Sequence, residues 1–433
     1  MLKKILKYLF VFLLIAGSLY GFGRLAVVLY GTYSFETRQP YLQKATQDSI
    51  VVLWQTPQSE KGCLVYGDTS IKLCEVQSSK YHRLELTGLD PATKYTYQVK
   101  SKSLEIDNTS RYFSTLNPNK NLQQHIWVLG DSGKATVAQG EVRDSMLRYL
   151  GDRSLDTWLM LGDNAYRSGT QKDFTKGLFN PYEHVLKTQV LWPVIGNHDA
   201  RRWAFYDIFE FPTQGESGGE ASGNESFYSF ENGNVHFVML DSETVSRDKD
   251  GDMAQWLERD LSKNTQTWTI VAFHHPPYTK GSHDSDSYYD SRGRMVTMRE
   301  NIVPILEKYD VDLVLSGHSH VYERSLLSHK HYDYSQSFDK TLHVVQDDLH
   351  HYTKCINKVA YAGTIYNVAG SSSENQEGIN PFDVKHPMMP FSFFSSGSLL
   401  ITADKSSLLV EMIMRDGIIL DSYDIKKSQA FCK

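Results

Sequence analysis

The chain has 433 residues, with 45 Lys and Arg against 51 Asp and Glu and a formal net charge of −6. That length accommodates two domains and a full core in the larger one. The acidic balance leaves no basic surface for a nucleic-acid backbone, so non-specific DNA or RNA binding is excluded.

Lys3, Lys4 and Lys7 precede an apolar run from Tyr8 to Phe22 that stops before Arg24. Lysines ahead of a short apolar core mark an export signal, so residues 1–24 are read as a signal peptide or membrane anchor. The run spans a bilayer comfortably only if apolar residues beyond Arg24 are recruited, which would make residues 5–29 the anchor. Either way the chain is expected outside the cytoplasm: secreted, periplasmic or membrane-anchored. No pattern in the sequence specifies an oligomer.

Residues 37–117 read as a domain of short strands separated by turn residues. Runs at 49–54, 63–66, 83–86, 95–99 and 111–113 fit an antiparallel β-sandwich. Tyr95 follows the corner Leu89-Asp90-Pro91, where its hydroxyl can cap the turn backbone. Polar residues 117–121 read as a linker. From 122 to 433 strands alternate with helical patterns, giving an α/β core whose ligands collect beyond the carboxyl ends of the strands. The last strands, from Leu399 onward, are assigned to the edge of that core. The cysteines are Cys63, Cys74, Cys355 and Cys432. Cys63 and Cys74 bracket one hairpin, which would leave Cys355 and Cys432 as a second pair; three pairings are formally open, as are free thiols.

Five motifs each end an apolar run: Gly130-Asp131-Ser132-Gly133, Gly162-Asp163-Asn164-Ala165-Tyr166, Gly196-Asn197-His198-Asp199, Val271-Ala272-Phe273-His274-His275 and Gly317-His318-Ser319-His320. Their carboxylates, phenol, amide and imidazoles form the ligand set for two adjacent metal ions, a clamp for in-line displacement at phosphorus. A lone Gly-Asp is usually a turn. Five such motifs on one rim, held together as a buried polar cluster without metal, would be costly. His198 is not needed as a ligand, and Asp199 could orient its imidazole. His283, on a polar loop, is a second candidate acid. His275 could face the substrate or pack behind the metals. The histidines at 329, 331, 343, 350 and 351 are expected at the surface, and residues 285–290 in a solvated acidic loop.

These motifs resemble those of the metallophosphoesterases, and Tyr166 narrows the likeness to the purple acid phosphatases. The resemblance runs from about residue 41 to the C-terminus. It implies a four-layer αββα metallophosphoesterase sandwich preceded by an all-β fibronectin type III-like sandwich. It also implies Fe³⁺ at Asp131, Asp163, Tyr166 and His320. A divalent ion (Zn, Fe or Mn) would sit at Asp163, Asn197, His274 and His318, with Asp163 bridging. The ligand chemistry agrees: hard anionic donors suit a trivalent ion, amide and imidazole a divalent one. Were Tyr166 only a packed aromatic, the site would hold two divalent ions. The implied activity is hydrolysis of small phosphate monoesters by a metal-activated water, with His198 and His283 assisting the leaving group. The alternatives are a phosphodiesterase or nucleotide hydrolase using the same site, and a surface-binding protein whose site has lapsed. The latter predicts a missing ligand, and none is missing.

Overall fold

The computed structural model describes Ser18, Gly23, residues 34–373 and residues 385–432. The export segment, 1–24, and the anchor reading of 5–29 otherwise lie outside the described residues. Among the described residues no helix is long and apolar enough to cross a membrane.

Residues 38–114 build two antiparallel sheets. One joins Arg38–Gln43, Ser49–Glu60 and Ser79–Thr87; the other joins Ile71–Cys74, Cys63–Tyr66, Lys94–Lys100 and Tyr112–Ser114. Along Lys94–Lys100 the side chains alternate, Tyr97 and Val99 buried between exposed Thr96, Gln98 and Lys100, as one packed face requires. The Asp90 N–H donates to Tyr95 Oη at 2.8 Å, the tyrosine corner expected from the sequence. One strand was not expected, and another completes the hairpin read between Cys63 and Cys74. Arg38–Gln43 contains Pro40, which a sheet tolerates at its edge, and this strand is the edge of its sheet. Ile71–Cys74 is short and mostly exposed; it pairs with Cys63–Tyr66, setting Cys63 opposite Cys74. These two cysteines form one disulfide and Cys355 with Cys432 the other.

Beyond the linker two seven-stranded sheets stack. The first runs Leu191–Pro193, Thr157–Met160, Gln124–Leu129, Gly397–Ala403, Ser407–Met414, Ile419–Ser428 and His351–Cys355. The second runs Tyr228–Asn232, Val235–Met239, Trp268–Phe273, Leu313–Ser316, Ile365–Ala369, Tyr322–Arg324 and Phe391–Phe393. The expectation that the C-terminal strands form an edge is corrected. Gly397–Ala403 pairs with Gln124–Leu129 in the middle of the first sheet, and its apolar residues are buried there.

Trp268–Phe273 explains the layering. Trp268, Ile270 and Ala272 pack between the sheets with Trp127 and Ile401. Val271 and Phe273 face the other way, onto Trp256, Leu257 and Val303 of helices Asp252–Lys263 and Val303–Lys308. Helix Val137–Leu150 covers the first sheet through Val142, Met146 and Leu150. Strands buried on both faces read as unbroken apolar runs, which is why they stand out in the sequence. The N-terminal sandwich docks on this core: Tyr41 Oη donates to the Ile208 carbonyl at 2.8 Å and Tyr97 Oη to that of Lys187 at 2.9 Å.

Candidate metal centre

The parallel strands of both sheets end on one rim, and there the chain turns sharply. Asp131, Asp163 and His318 adopt left-handed backbone, with φ of 54°, 52° and 65°. Such conformations are costly for residues with a Cβ and gather where geometry serves function. Glycine permits the close approach. A Cβ on Gly196 would lie 2.1 Å from the Asp163 nitrogen, and one on Gly162 would lie 2.5 Å from His274 Nδ1.

The seven expected ligands converge. Asp131 Oδ1 lies 3.0 Å from Tyr166 Oη and 3.4 Å from His320 Nε2, and the phenol is 3.3 Å from the same nitrogen. Beside them, Asn197 Oδ1 lies 3.1 Å from both His274 Nε2 and His318 Nδ1. Asp163 sits between the groups. Its Oδ1 is 3.6 Å from His274 Nε2, and a ligand atom from each of Asp131, Asp163 and His274 falls within 4.8 Å of the others.

The hydrogen bonds behind these side chains decide what fits between them. His274 Nδ1 donates to the Leu161 carbonyl at 2.9 Å, so in the neutral ring Nε2 carries a lone pair aimed at two oxygens. His318 Nε2 lies 2.6 Å from Ser291 Oγ, whose own proton goes to Asp290 Oδ1 at 2.8 Å. His318 Nδ1 therefore also presents a lone pair to Asn197 Oδ1. Burial, then the charges on Asp131 and Asp163, push the Tyr166 phenol well above its ordinary value. Lone pairs facing lone pairs in a buried site call for cations. Asp131, Asp163 and His274 form one candidate group for a cation, and His318 stands beside them.

Other sequence expectations fare unevenly. His198 is half-buried at the site, its ring centroid 4.3 Å from that of Tyr166 and its backbone N–H donating to Asp163 Oδ1 at 2.8 Å. Asp199 does not orient it. The carboxylate instead accepts from the backbone amides of Asn164, Ala165 and Gly196, at 3.1, 3.0 and 3.0 Å. Burial and the nearby Asp163 push its carboxyl up to about 7. His198 Nδ1 is held by the Arg167 carbonyl at 2.7 Å. His283 stacks on His318 at 3.9 Å between centroids, its Nδ1 bonded to Asp290 Oδ1 at 2.9 Å. His275 is buried, with Nδ1 2.9 Å from Ser242 Oγ, and its ring lies 4.4 Å from that of His318 at the edge of a cavity beside Asn197.

Two expectations are overturned. His331 is not at the surface but buried, beside Tyr278 and His386. Residues 285–290 are not merely a solvated loop: Ser285 is fully buried and Asp290 holds His283 and Ser291. Sequence reasoning also missed Glu323, fully buried, which accepts from the Thr279 hydroxyl and, at 3.3 Å, from the Lys280 N–H. Thr279 Oγ1 in turn accepts from the Ser319 hydroxyl at 2.9 Å, tying the loop after His274 to the His318–His320 turn.

A cavity of about 380 Å³ opens beside Asn197 and His318, with Arg201, Arg292 and His283 in its walls. The family model for calcineurin-like phosphoesterases matches residues 124–322. Purple acid phosphatase 15 of Arabidopsis thaliana is 27% identical over 58% of this chain and 51% of its own length. Purple acid phosphatase 22 of the same plant is 29% identical over 64% and 61%. The chain thus spans about half to three fifths of these two relatives (51% and 61%). A purple acid phosphatase from yellow lupin seeds shares the fold with a TM-score of 0.70, over 90% of this chain and 74% of that one at 19% identity. PhoD does so at 0.61, over 91% and 90% at 14% identity. The ligand-type residues Asp131, Asp163 and His274 gather at the same rim, within the matched region. Residues 124–322 thus match the calcineurin-like phosphoesterases, and the chain is similar to purple acid phosphatases in sequence and shares their fold.

Proposed function

We propose that the protein is an exported phosphoric monoester hydrolase of the acid phosphatase type, with residues 122–433 as the catalytic domain and residues 37–117 as its fibronectin-like companion. One observation carries this reading: His274 Nε2, His318 Nδ1, Asn197 Oδ1 and Asp163 Oδ1 face one another as acceptors around a common space. The anionic group of Asp131, Asp163, Tyr166 and His320 suits Fe³⁺, and the group of Asp163, Asn197, His274 and His318 suits Zn²⁺, Fe²⁺ or Mn²⁺. When bound, such a pair supplies positive charge for phosphate oxygens and a water of lowered pKa for in-line displacement.

The chain's own residues do the rest. Asp163 draws both groups together. His198, fixed through Nδ1 by the Arg167 carbonyl, keeps Nε2 free to bond a phosphate oxygen or protonate a departing alkoxide. His283, braced by Asp290, offers Nε2 from the cavity wall to the leaving oxygen. His318 and His274 are held in one tautomer by Ser291 and Leu161, so neither ring must reorganise.

The test is hydrolysis of an aryl phosphate monoester against the matching diester, from acid to alkaline pH, by protein lacking residues 1–24. A monoester preference with an acid optimum supports the reading. A diester preference moves the function to a phosphodiesterase, and no turnover with metal bound removes it.

A further inference from the structure

The cavity beside the metal centre carries more cationic than acidic side chains in its walls. Its floor includes Asn197 and His318, and its walls carry Arg201, Arg292, Arg294 and His283. Arg294 is neutralised: its Nε lies 2.7 Å and its Nη2 2.9 Å from Glu243 oxygens. Asp290, the other acidic wall residue, accepts from His283, Ser291 and the Asp284 N–H. Arg201 gives one Nη1 hydrogen bond, at 2.9 Å, to the Arg167 carbonyl. Among the described residues neither Arg201 nor Arg292 makes an ion pair with a carboxylate. They stand on opposite loops, one after the Gly196-Asn197 turn and one before helix Arg294–Thr297.

Arg292 is held there against its backbone preference. Ser291 and Arg292 have φ of 50° and 54°, and Gly293 follows at 73°. The turn is anchored on both sides: Ser291 Oγ bonds Asp290 and His318, and Arg294 Nη1 donates to the Ser291 carbonyl at 3.0 Å. Two adjacent non-glycine residues in left-handed backbone are costly, and the anchors fix the exposed guanidinium in the cavity wall.

We infer that Arg292, with Arg201, forms a subsite for a second anionic group, so that the preferred substrates are phosphate monoesters whose alcohol portion itself carries a carboxylate or phosphate. The inference rests on the phosphomonoesterase reading. With the reacting phosphoryl group at the metal centre, the ester's alcohol portion extends into this cavity, and two guanidiniums with unused donors meet it there.

The matched pair glycerol 3-phosphate and 3-phosphoglycerate tests this, because the two differ by one carboxylate. The wild-type metal-loaded enzyme is expected to show a kcat/KM at least about tenfold higher for 3-phosphoglycerate, as a charge-assisted hydrogen bond supplies. Arg292→Asn keeps a residue tolerant of left-handed backbone and removes the charge. It should bring the ratio of the two kcat/KM values toward one, while Arg292→Lys retains a larger share. Arg201→Gln should lower the ratio as well. Equal ratios in wild type and both charge-removing variants, or no wild-type preference, would overturn the subsite. If neither ester turns over, the monoesterase reading fails separately. The subsite is then read by calorimetry, as the ratio of Kd for 3-phosphonopropionate to Kd for propylphosphonate. A ratio of one in wild type overturns it, and a preference lost in Arg292→Asn upholds it.

Discussion

Strand Leu313–Ser316 has a buried charge cluster at each end, and the two are built on opposite terms. At its start, Asp312 lies 2.9 Å from Lys354 Nζ and 2.8 Å from Lys427 Nζ, and Lys354 also reaches Asp310 at 2.8 Å. Burial would raise the Asp312 carboxyl, but the two lysines outweigh it and hold it below its ordinary value. At the strand's far end the His318 N–H donates to Asp131 Oδ2 at 2.7 Å, and the buried carboxylates there meet imidazoles, a phenol and backbone amides. A buried carboxylate needs a counter-charge. One end carries its own cations as lysines. The other presents converging lone pairs and leaves room for cations from outside.

Breaking the rim should have the larger effect. Asp163→Ala is expected to lower the metal content from two ions towards none and to reduce hydrolysis by more than about a hundredfold, beyond what loss of an outer-shell partner costs. Lys354→Met should do the reverse. Stranding Asp310, and leaving Asp312 with Lys427 alone, would destabilise the fold by about 3–5 kcal/mol in denaturant unfolding, with metal stoichiometry unchanged. Metal loss in that variant would dissolve the distinction between the two ends.

Replacing His283 by Ala should cost about a hundredfold with an alkyl phosphate and less with an aryl phosphate, whose leaving group needs no proton. An equal loss with both would remove its role as an acid. Glu323 adds a pH signature. Burial pushes its carboxyl up to about 7 in the fold, against about 4.3 unfolded. The folded state binds that proton more tightly. Stability is therefore greatest below the unfolded value and declines as pH rises from about 4.3 to 7, by on the order of 3 kcal/mol. Glu323→Gln should flatten that decline in unfolding curves taken across the window. Smallest is Ser291→Ala, expected to weaken metal affinity about tenfold by freeing the His318 ring. Competition with a chelator reads it directly.

What the sequence disclosed follows from the same physics. Runs such as Trp268–Phe273 are buried on both faces and end in glycine or histidine at the rim, so strand and ligand are legible together. Pro40 hid an edge strand because proline argues against any interior one. The C-terminal strands look like any antiparallel ribbon, and nothing local says that Gly397–Ala403 pairs in the middle of a sheet. Ser291, Asp290 and Glu323 were invisible as supports. Ser291 acts on His318 at a separation of 27 residues and Glu323 on Thr279 at 44, and no spacing rule links them; Asp290 acts locally, through a loop that reads only as polar. His331 misled for a related reason: a polar neighbourhood in sequence became an aromatic one in space.

On this reading the rim holds two cations which the chain does not itself supply. Metal analysis of the purified protein by mass spectrometry, with its visible absorption spectrum, tests that most directly. Two transition-metal ions per chain are expected, one of them iron, with a tyrosinate-to-ferric band lost in Tyr166→Phe. Protein that purifies without stoichiometric metal and takes up none when offered iron, zinc or manganese would contradict it.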